Sequence, residues 1–203
     1  MSRPRLTAIL IALSFAIPTL AVAEEKKPAA APEMSAEQKA MMEAYVKAGS
    51  PGAPHERLAK QAGEYDLTVT SWDAPGAPPS NDKGTASRKM VLDGRVMVEM
   101  MQGTNHGQPF SGHGMQGYDN VSGKYWGTWN DSMSTGVMVS SGECDDNGAC
   151  TFTGSWNDPI SKKPMTAHMK TRWTDANTEV FEMHAPGPDG KEAKMMEITY
   201  TRH

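Results

Sequence analysis

The spacing of apolar and polar positions changes character once along the chain. Up to residue 62 apolar residues recur at helical spacing; from Gly63 onward they recur every second residue, which places them on one face of a strand. In the first such segment Tyr65, Leu67 and Val69 share a face, and Asp66, Thr68 and Thr70 share the other. The same period predicts strands over 63–72, 84–92, 95–102, 110–118, 124–131, 136–143, 150–156, 165–173, 178–184 and 193–202. Between them stand turn signals such as Asp93-Gly94, DDNG, TDAN and PGPDG, and 73–82 (DAPGAPPSND) reads as a loop. No gap suits a crossover helix, so consecutive strands pair antiparallel. An open sheet of this length leaves two reactive edges, and closure removes them. The expected fold class is all-β: a calycin/lipocalin-like, up-and-down antiparallel barrel of about ten strands.

The helical spacing before Gly63 predicts a preface over 35–62. Ser35 is an N-cap, with Gln38 placed to complete a capping box. Ala40, Met41, Ala44, Tyr45 and Ala48 form a stripe that Gly49 ends, and a second helix is expected over 55–62. The preface reads as a plug packed on one end of the barrel, or alternatively as a mobile gate. Residues 24–34, charged and rich in proline and alanine, read as a disordered linker. Residues 1–23 carry Arg3 and Arg5, an apolar run over 6–17 and an Ala21-Val22-Ala23 cleavage pattern, the marks of a secretory signal peptide. The expected product is exported, periplasmic or secreted, without membrane insertion after cleavage. The barrel domain is assigned to 63–203.

Composition narrows the partners. The chain carries 20 basic and 24 acidic residues, net charge −4, with no basic patch, which argues against nucleic acid as a partner. Its 2 cysteines, Cys144 and Cys150, flank a DDNGA turn and are expected to bridge in an oxidising compartment, stabilising the fold by roughly 2 kcal/mol. A redox or metal pair is the rival, but redox motifs of this kind have two intervening residues. The 16 methionines raise the question of Cu(I). His113 and Met115 share a strand face, but Met183-His184, His168-Met169, Met100-Met101 and Met195-Met196 split across faces. Methionine as filler of an irregular interior is the preferred reading. No metal and no cofactor is expected.

Gly112-His-Gly-Met-Gln-Gly117 matches G-x-G-x-x-G, but it lies inside a predicted strand and runs into a turn, so no helix N-terminus is available for phosphates. The glycines instead suit a bend or a crossing by neighbouring side chains. Motifs for hydrolases, zinc peptidases, P-loops and EF-hands are absent from the sequence. Arg88 and Glu99 fall on neighbouring predicted strands, as a buried pair, a carboxylate-binding site or two solvated charges. Trp126 and Trp129 have opposite parity; Trp129 shares its face with Tyr125 and is assigned to the interior. Tyr65, Arg88, Glu99, Tyr125 and Trp129 are the candidate ligand-binding residues, with no catalytic residue assigned. A binding module for a small apolar or amphipathic molecule is the favoured function. An isomerase or hydrolase on the same scaffold, or a structural envelope protein with a filled barrel, are the alternatives.

Gly63-Glu-Tyr65, Gly84-x-Ala86-x-Arg88, Leu92-Asp-Gly-Arg95, Phe110-x-Gly112-x-Gly114-x-x-Gly117-Tyr118-Asp119 and Tyr125-x-x-x-Trp129-x-Asp131 together resemble the bacterial family known as domain of unknown function 1579. The likeness runs from about His55 to the C-terminus. It implies a secreted lipocalin-like barrel and carries over no reaction. Gly63-x-Tyr65 is also similar to the G-x-W that opens lipocalin barrels, with Tyr in place of Trp.

Overall fold

The computed structural model describes residues 33–187 and 190–203. The expected signal peptide and nearly all of the linker lie outside the described residues. Helices α1 (Ala36–Gly49) and α2 (Ala53–Ala59) precede the strands β1 (Gly63–Ser71), β2 (Ser80–Val91), β3 (Val96–Asn105), β4 (Gln108–Asp119) and β5 (Lys124–Asp131). The strands β6 (Met138–Cys144), β7 (Cys150–Asn157), β8 (Pro164–Trp173), β9 (Thr178–Pro186) and β10 (Glu192–Arg202) complete the chain. Each strand pairs antiparallel with the next, and β10 pairs with β1 to close the barrel. Closure sets Leu67 opposite Tyr200 and Val69 opposite Ile198, so the inward faces of the first and last strands meet.

The period-two pattern locates the strands well and their ends less well. β2 starts at Ser80, inside the stretch expected to be a loop, because a buried carboxylate organises that corner. Asp82 accepts hydrogen bonds from the Thr104 hydroxyl at 2.7 Å, the His106 amide at 3.0 Å, the Gly107 amide at 3.1 Å and the Ser80 hydroxyl at 3.1 Å. It therefore ties the start of β2 to the β3–β4 hairpin, and β3 extends to Asn105.

The preface divides into two unequal parts. Ser35 caps α1 in a complete capping box, as its spacing predicts. The helix contributes no buried side chain, and Met41 and Tyr45 from its apolar stripe are 56% and 75% exposed. Among the described residues its hydrogen bonds to the barrel lie at its C-terminal end. Asn120 Nδ2 donates to the Ala48 and Ser50 carbonyls at 3.0 and 2.7 Å, and Arg95 Nε donates to the Gly49 carbonyl at 2.9 Å. The plug is α2 alone. It begins earlier than expected, at Ala53, with Pro54 in the first turn where a missing N–H costs nothing. Its Leu58, 1% exposed, packs with Met97, Tyr125, Phe152 and Met169 at the barrel's lower end.

The β4 glycines are accommodating an aromatic wall. This is the crossing by neighbouring side chains for which glycines in a strand leave room. A Cβ on Gly112 would lie 2.3 Å from Trp129 Cζ2, and one on Gly117 would lie 2.5 Å from Trp126 Cζ2. Both indoles of β5 thus lie flat across glycines of β4, Trp129 on the inner face and Trp126 on the outer. A disulfide joins Cys144 and Cys150 across the β6–β7 hairpin.

Two outcomes test this account. Gly112→Ala should lower the free energy of unfolding by about 1–3 kcal/mol through overpacking against Trp129, whereas Gly114→Ala, whose Cβ would sit 3.3 Å from Trp129 Cε3, should cost clearly less; urea midpoints of the two variants give the comparison. The Thr104 hydroxyl, opposed by burial and supported by the Gly107, His106 and Ser80 donors, lowers the Asp82 pKa to about 2. A depressed carboxylate pKa contributes stability above its ordinary value, and that contribution fades as pH falls through the folded-state value. Asp82→Asn should therefore destabilise the protein by about 1–3 kcal/mol at neutral pH, and the gap to wild type should narrow as pH falls from 4 towards 2 in parallel melts.

Candidate functional site

The interior is divided by a layer of side chains into two spaces. Below the layer, toward α2, is a small chamber of about 150 Å³; above it is a cavity of about 1070 Å³. Trp129, Met138, Met169, Phe181 and Tyr200 are walls of both. The large cavity also touches the β5–β6 loop at Met133–Val137 and the β7–β8 loop at Pro159, which places its mouth at the end away from the helices.

The small chamber is built on a buried cation. Arg88 points inward from β2 because its parity matches Ala86 and Gly84, and it is 6% exposed. Its Nε donates to Glu99 on β3, its direct cross-strand partner, and its Nη1 donates to Glu179 on β9 at 2.5 Å. Tyr200 on β10 donates its hydroxyl to the other Glu99 oxygen at 3.2 Å. The guanidinium is also stacked, 4.2 Å from the Tyr200 ring centre and 5.0 Å from that of Tyr65. A second guanidinium, Arg202, lies 5.2 Å from the Tyr65 ring and 5.6 Å from that of Trp173. The result is a cluster of guanidinium–ring contacts in which the Tyr65 and Tyr200 rings also meet edge to face, 5.9 Å apart at 87°. Arg202 donates to the Tyr65 hydroxyl at 2.7 Å and to the carbonyls of Lys60 and Ala62, joining the cluster to the chain that follows α2.

Electrostatics follow from this geometry. Burial works against the charge on Arg88, and Glu99 and Glu179 more than offset it, so its pKa rises well above the ordinary value. Burial, reinforced by Glu99, pushes the Tyr200 hydroxyl well up and keeps it a hydrogen-bond donor. Tyr65 is also raised by burial.

The large cavity has a different character. Its lining is mainly apolar, with Leu67, Val69, Phe110, Trp156 and Ile198 on the walls and Asp131 at the mouth. Asp131 Oδ2 accepts from Trp129 Nε1 at 3.0 Å. Five strands each supply a methionine: Met101, Met138, Met169, Met183 and Met196. Met183 stands between Met169 and Met196 in register, so thioethers from three adjacent strands form a row. The adjacent pairs split across the sheet as expected, yet their inner members converge, which face-by-face reasoning within one strand does not reveal. Met115, by contrast, is 38% exposed. Among the described residues no group of three or more His, Cys, Asp or Glu is placed to hold a metal ion.

Of the sequence-derived candidates, Arg88, Glu99, Tyr125 and Trp129 line the small chamber, and Trp129 also lines the large cavity. Tyr65 is fully buried behind Arg88 and lines neither. Sequence reasoning missed Glu179 and Tyr200. Both sit at inward positions of predicted strands, but no local signal pairs either with Arg88.

The model of the protein family of unknown function DUF1579 matches residues 50–202. The chain belongs to that family. The match starts just after α1 and takes in α2 and every strand, so the family unit is the plugged barrel. No protein of curated function matches the sequence. Among solved structures, the fold is similar to the crystal structure of Rv2717c from M. tuberculosis, with TM-score 0.58, 13% identity, and coverage of 75% of this chain and 99% of that one. It is also similar to the S-type phycobiliprotein lyase CPES from Guillardia theta, with TM-score 0.52, 11% identity, and coverage of 78% and 96%. At such identities the likeness is one of fold, and it is that of a lipocalin-like barrel.

Removing one side of a buried ion cluster leaves uncompensated charge. Arg88→Ala, which strands two carboxylates, should cost about 3–5 kcal/mol, measured by denaturant unfolding. Glu179→Gln retains an acceptor for Arg88 and leaves Glu99 in place, so it should cost less. A near-neutral Arg88→Ala would show that the cluster does not hold the barrel together.

Proposed function

We propose that the protein is an exported binding module that holds a small apolar or amphipathic molecule in the large cavity. The observation that carries this reading is the cavity itself. About 1070 Å³ of space is at the upper end of what small-molecule pockets offer, roughly 300–1,000 Å³. Apolar walls of that extent, unfilled by the chain's own side chains, speak against a solid structural barrel. The polar lining residues, Lys83, Gln102, Asn105, Asn130, Asp131 and Ser134 among them, come mainly from the strand ends and loop at the mouth, and the Arg88 cluster lies below the floor. That distribution suits a molecule with an apolar body and a polar group at one end. Export is supported by the signal-like pattern of residues 1–23, and the Cys144–Cys150 disulfide suits an oxidising compartment.

Arg88 does not serve this reading as a free anchor for a ligand carboxylate, because Glu99 and Glu179 already occupy it. The test is titration with a neutral amphiphile, decanol, followed by tryptophan fluorescence, together with native mass spectrometry of protein purified from its own host. A saturable change at sub-millimolar concentration is expected. Trp129→Phe should remove most of it, with a residue from Trp156 on the same cavity. No binding below millimolar and no retained host molecule would return the barrel to a structural role.

A further inference from the structure

The outer wall of the barrel changes character around its circumference. On β1 and β10 the outward positions are polar, with Asp66, Thr68 and Thr70 set opposite Thr201, Thr199 and Glu197. From β2 to β6 many of them are apolar. Val91 faces Val96, Val98 faces Met115 and Met100 faces His113, on the side away from the buried Glu99 and Met101. The row from Val98 and Met115 runs on through Thr128 to Val139 on β6. Met100, Met115 and Val139 are 49%, 38% and 52% exposed. The Trp126 indole lies across Gly117 in the same wall, so it spreads over the sheet and leaves the surface flat. The outer face of an antiparallel sheet is ordinarily polar; this part of it is not.

A second bare apolar surface stands beside the first. Met41, Met42, Tyr45 and Val46 take one side of α1, each more than half exposed. Arg95, just before β3, and Asn120, in the β4–β5 turn, hold the last carbonyls of the helix, so α1 starts from the foot of the apolar wall. Its stripe covers nothing on its own barrel. Helix and wall each expose on the order of 500 Å² of such surface, the size at which an apolar patch marks an interaction site. Charge does not direct α1 to an anionic bilayer, because Glu37 and Glu43 balance Lys39 and Lys47, whereas interfacial helices carry a basic polar face. A helix stripe and a flat sheet face on one chain are complementary, and a two-fold axis lets one contact cover both in both copies.

We propose that these surfaces form a two-fold dimer, in which α1 of each copy lies across the outer wall of β3–β6 of the other. Exchange in both directions buries roughly 2,000 Å², the extent of a stable dimer interface. Wall against wall would leave both helices bare.

The test is sedimentation equilibrium of protein purified from its own host, at micromolar concentration. Wild type should show twice the chain mass. Tyr45→Lys on the helix and Met115→Lys on the wall should each weaken dimerisation at least about tenfold, with the far-UV circular dichroism of the barrel unchanged because both positions are exposed. Should Met115→Lys fail to fold, Val139→Lys replaces it. An equimolar mixture of the helix and wall variants should regain dimers, since one half of the mixed pair then joins an intact helix to an intact wall. A monomeric wild type overturns the inference. So does a Tyr45→Lys protein that stays fully dimeric, which would assign the contact to the wall alone, or a mixture that regains nothing. Binding of a monomeric wild type to vesicles of phosphatidylethanolamine and phosphatidylglycerol would overturn it in favour of a lipid surface.

Discussion

One buried guanidinium governs the lower half of this barrel. An arginine placed inside a sheet must find both counter-charge and hydrogen-bond acceptors, or the fold does not form. Arg88 finds them on strands that are far apart in sequence: Glu99 on β3, Glu179 on β9, and the Tyr65 and Tyr200 rings on β1 and β10. Those strands flank the seam where the last strand closes on the first. The ion cluster and the rings packed on it therefore act as a clasp across the joint. Hydrogen bonds between β1 and β10 alone would fix neither the register nor the inward face as strongly, since a slip of one residue would send Tyr65 and Tyr200 outward.

Above the clasp the chain solves a different problem, how to line a space without filling it. The β4 glycines let the Trp129 indole lie flat against the sheet instead of projecting across the lumen. Gly154 does the same for two methionines, since a Cβ there would meet Met169 Cε at 2.7 Å and Met138 Sδ at 3.0 Å. Side chains laid along the wall leave the centre open, while α2 and Leu58 seal the lower end. The cavity is thus a product of where glycine is placed as much as of where bulk is placed.

Much of the architecture is legible in the sequence. Period-two spacing after Gly63, turn residues between runs and the lack of crossover lengths lead directly to a closed meander, and parity sets Trp126 and Trp129 on opposite faces, with Trp129 assigned inward for the face it shares with Tyr125. Arg88 and Glu99 could be set side by side because one tight turn joins their strands. Glu179 could not, because its contact with Arg88 spans 91 positions and depends on the barrel closing. The methionine row was hidden for the same reason: alternation within a strand says which face a residue takes, not what the next strands bring to that face. The early start of β2 rests on Asp82, whose composition-based reading as a loop residue ignores the donors that converge on it from β2 and the β3–β4 hairpin. The α1 stripe suggested a packed helix, yet it is α2 that packs on the barrel's lower end, and α1 buries no side chain.

A wall of thioethers has a consequence for discrimination. Methionine has several low-energy shapes and a polarisable sulfur, so a surface made of it conforms to whatever it touches. Such a surface measures length and width loosely. Any strictness in what the barrel accepts must then reside in its rigid parts, the buried guanidinium cluster below and the indole held to its carboxylate at the rim. The molecule is, in effect, a tolerant sleeve with a fussy base, able to accept a range of hydrocarbon bodies while judging each by its polar end.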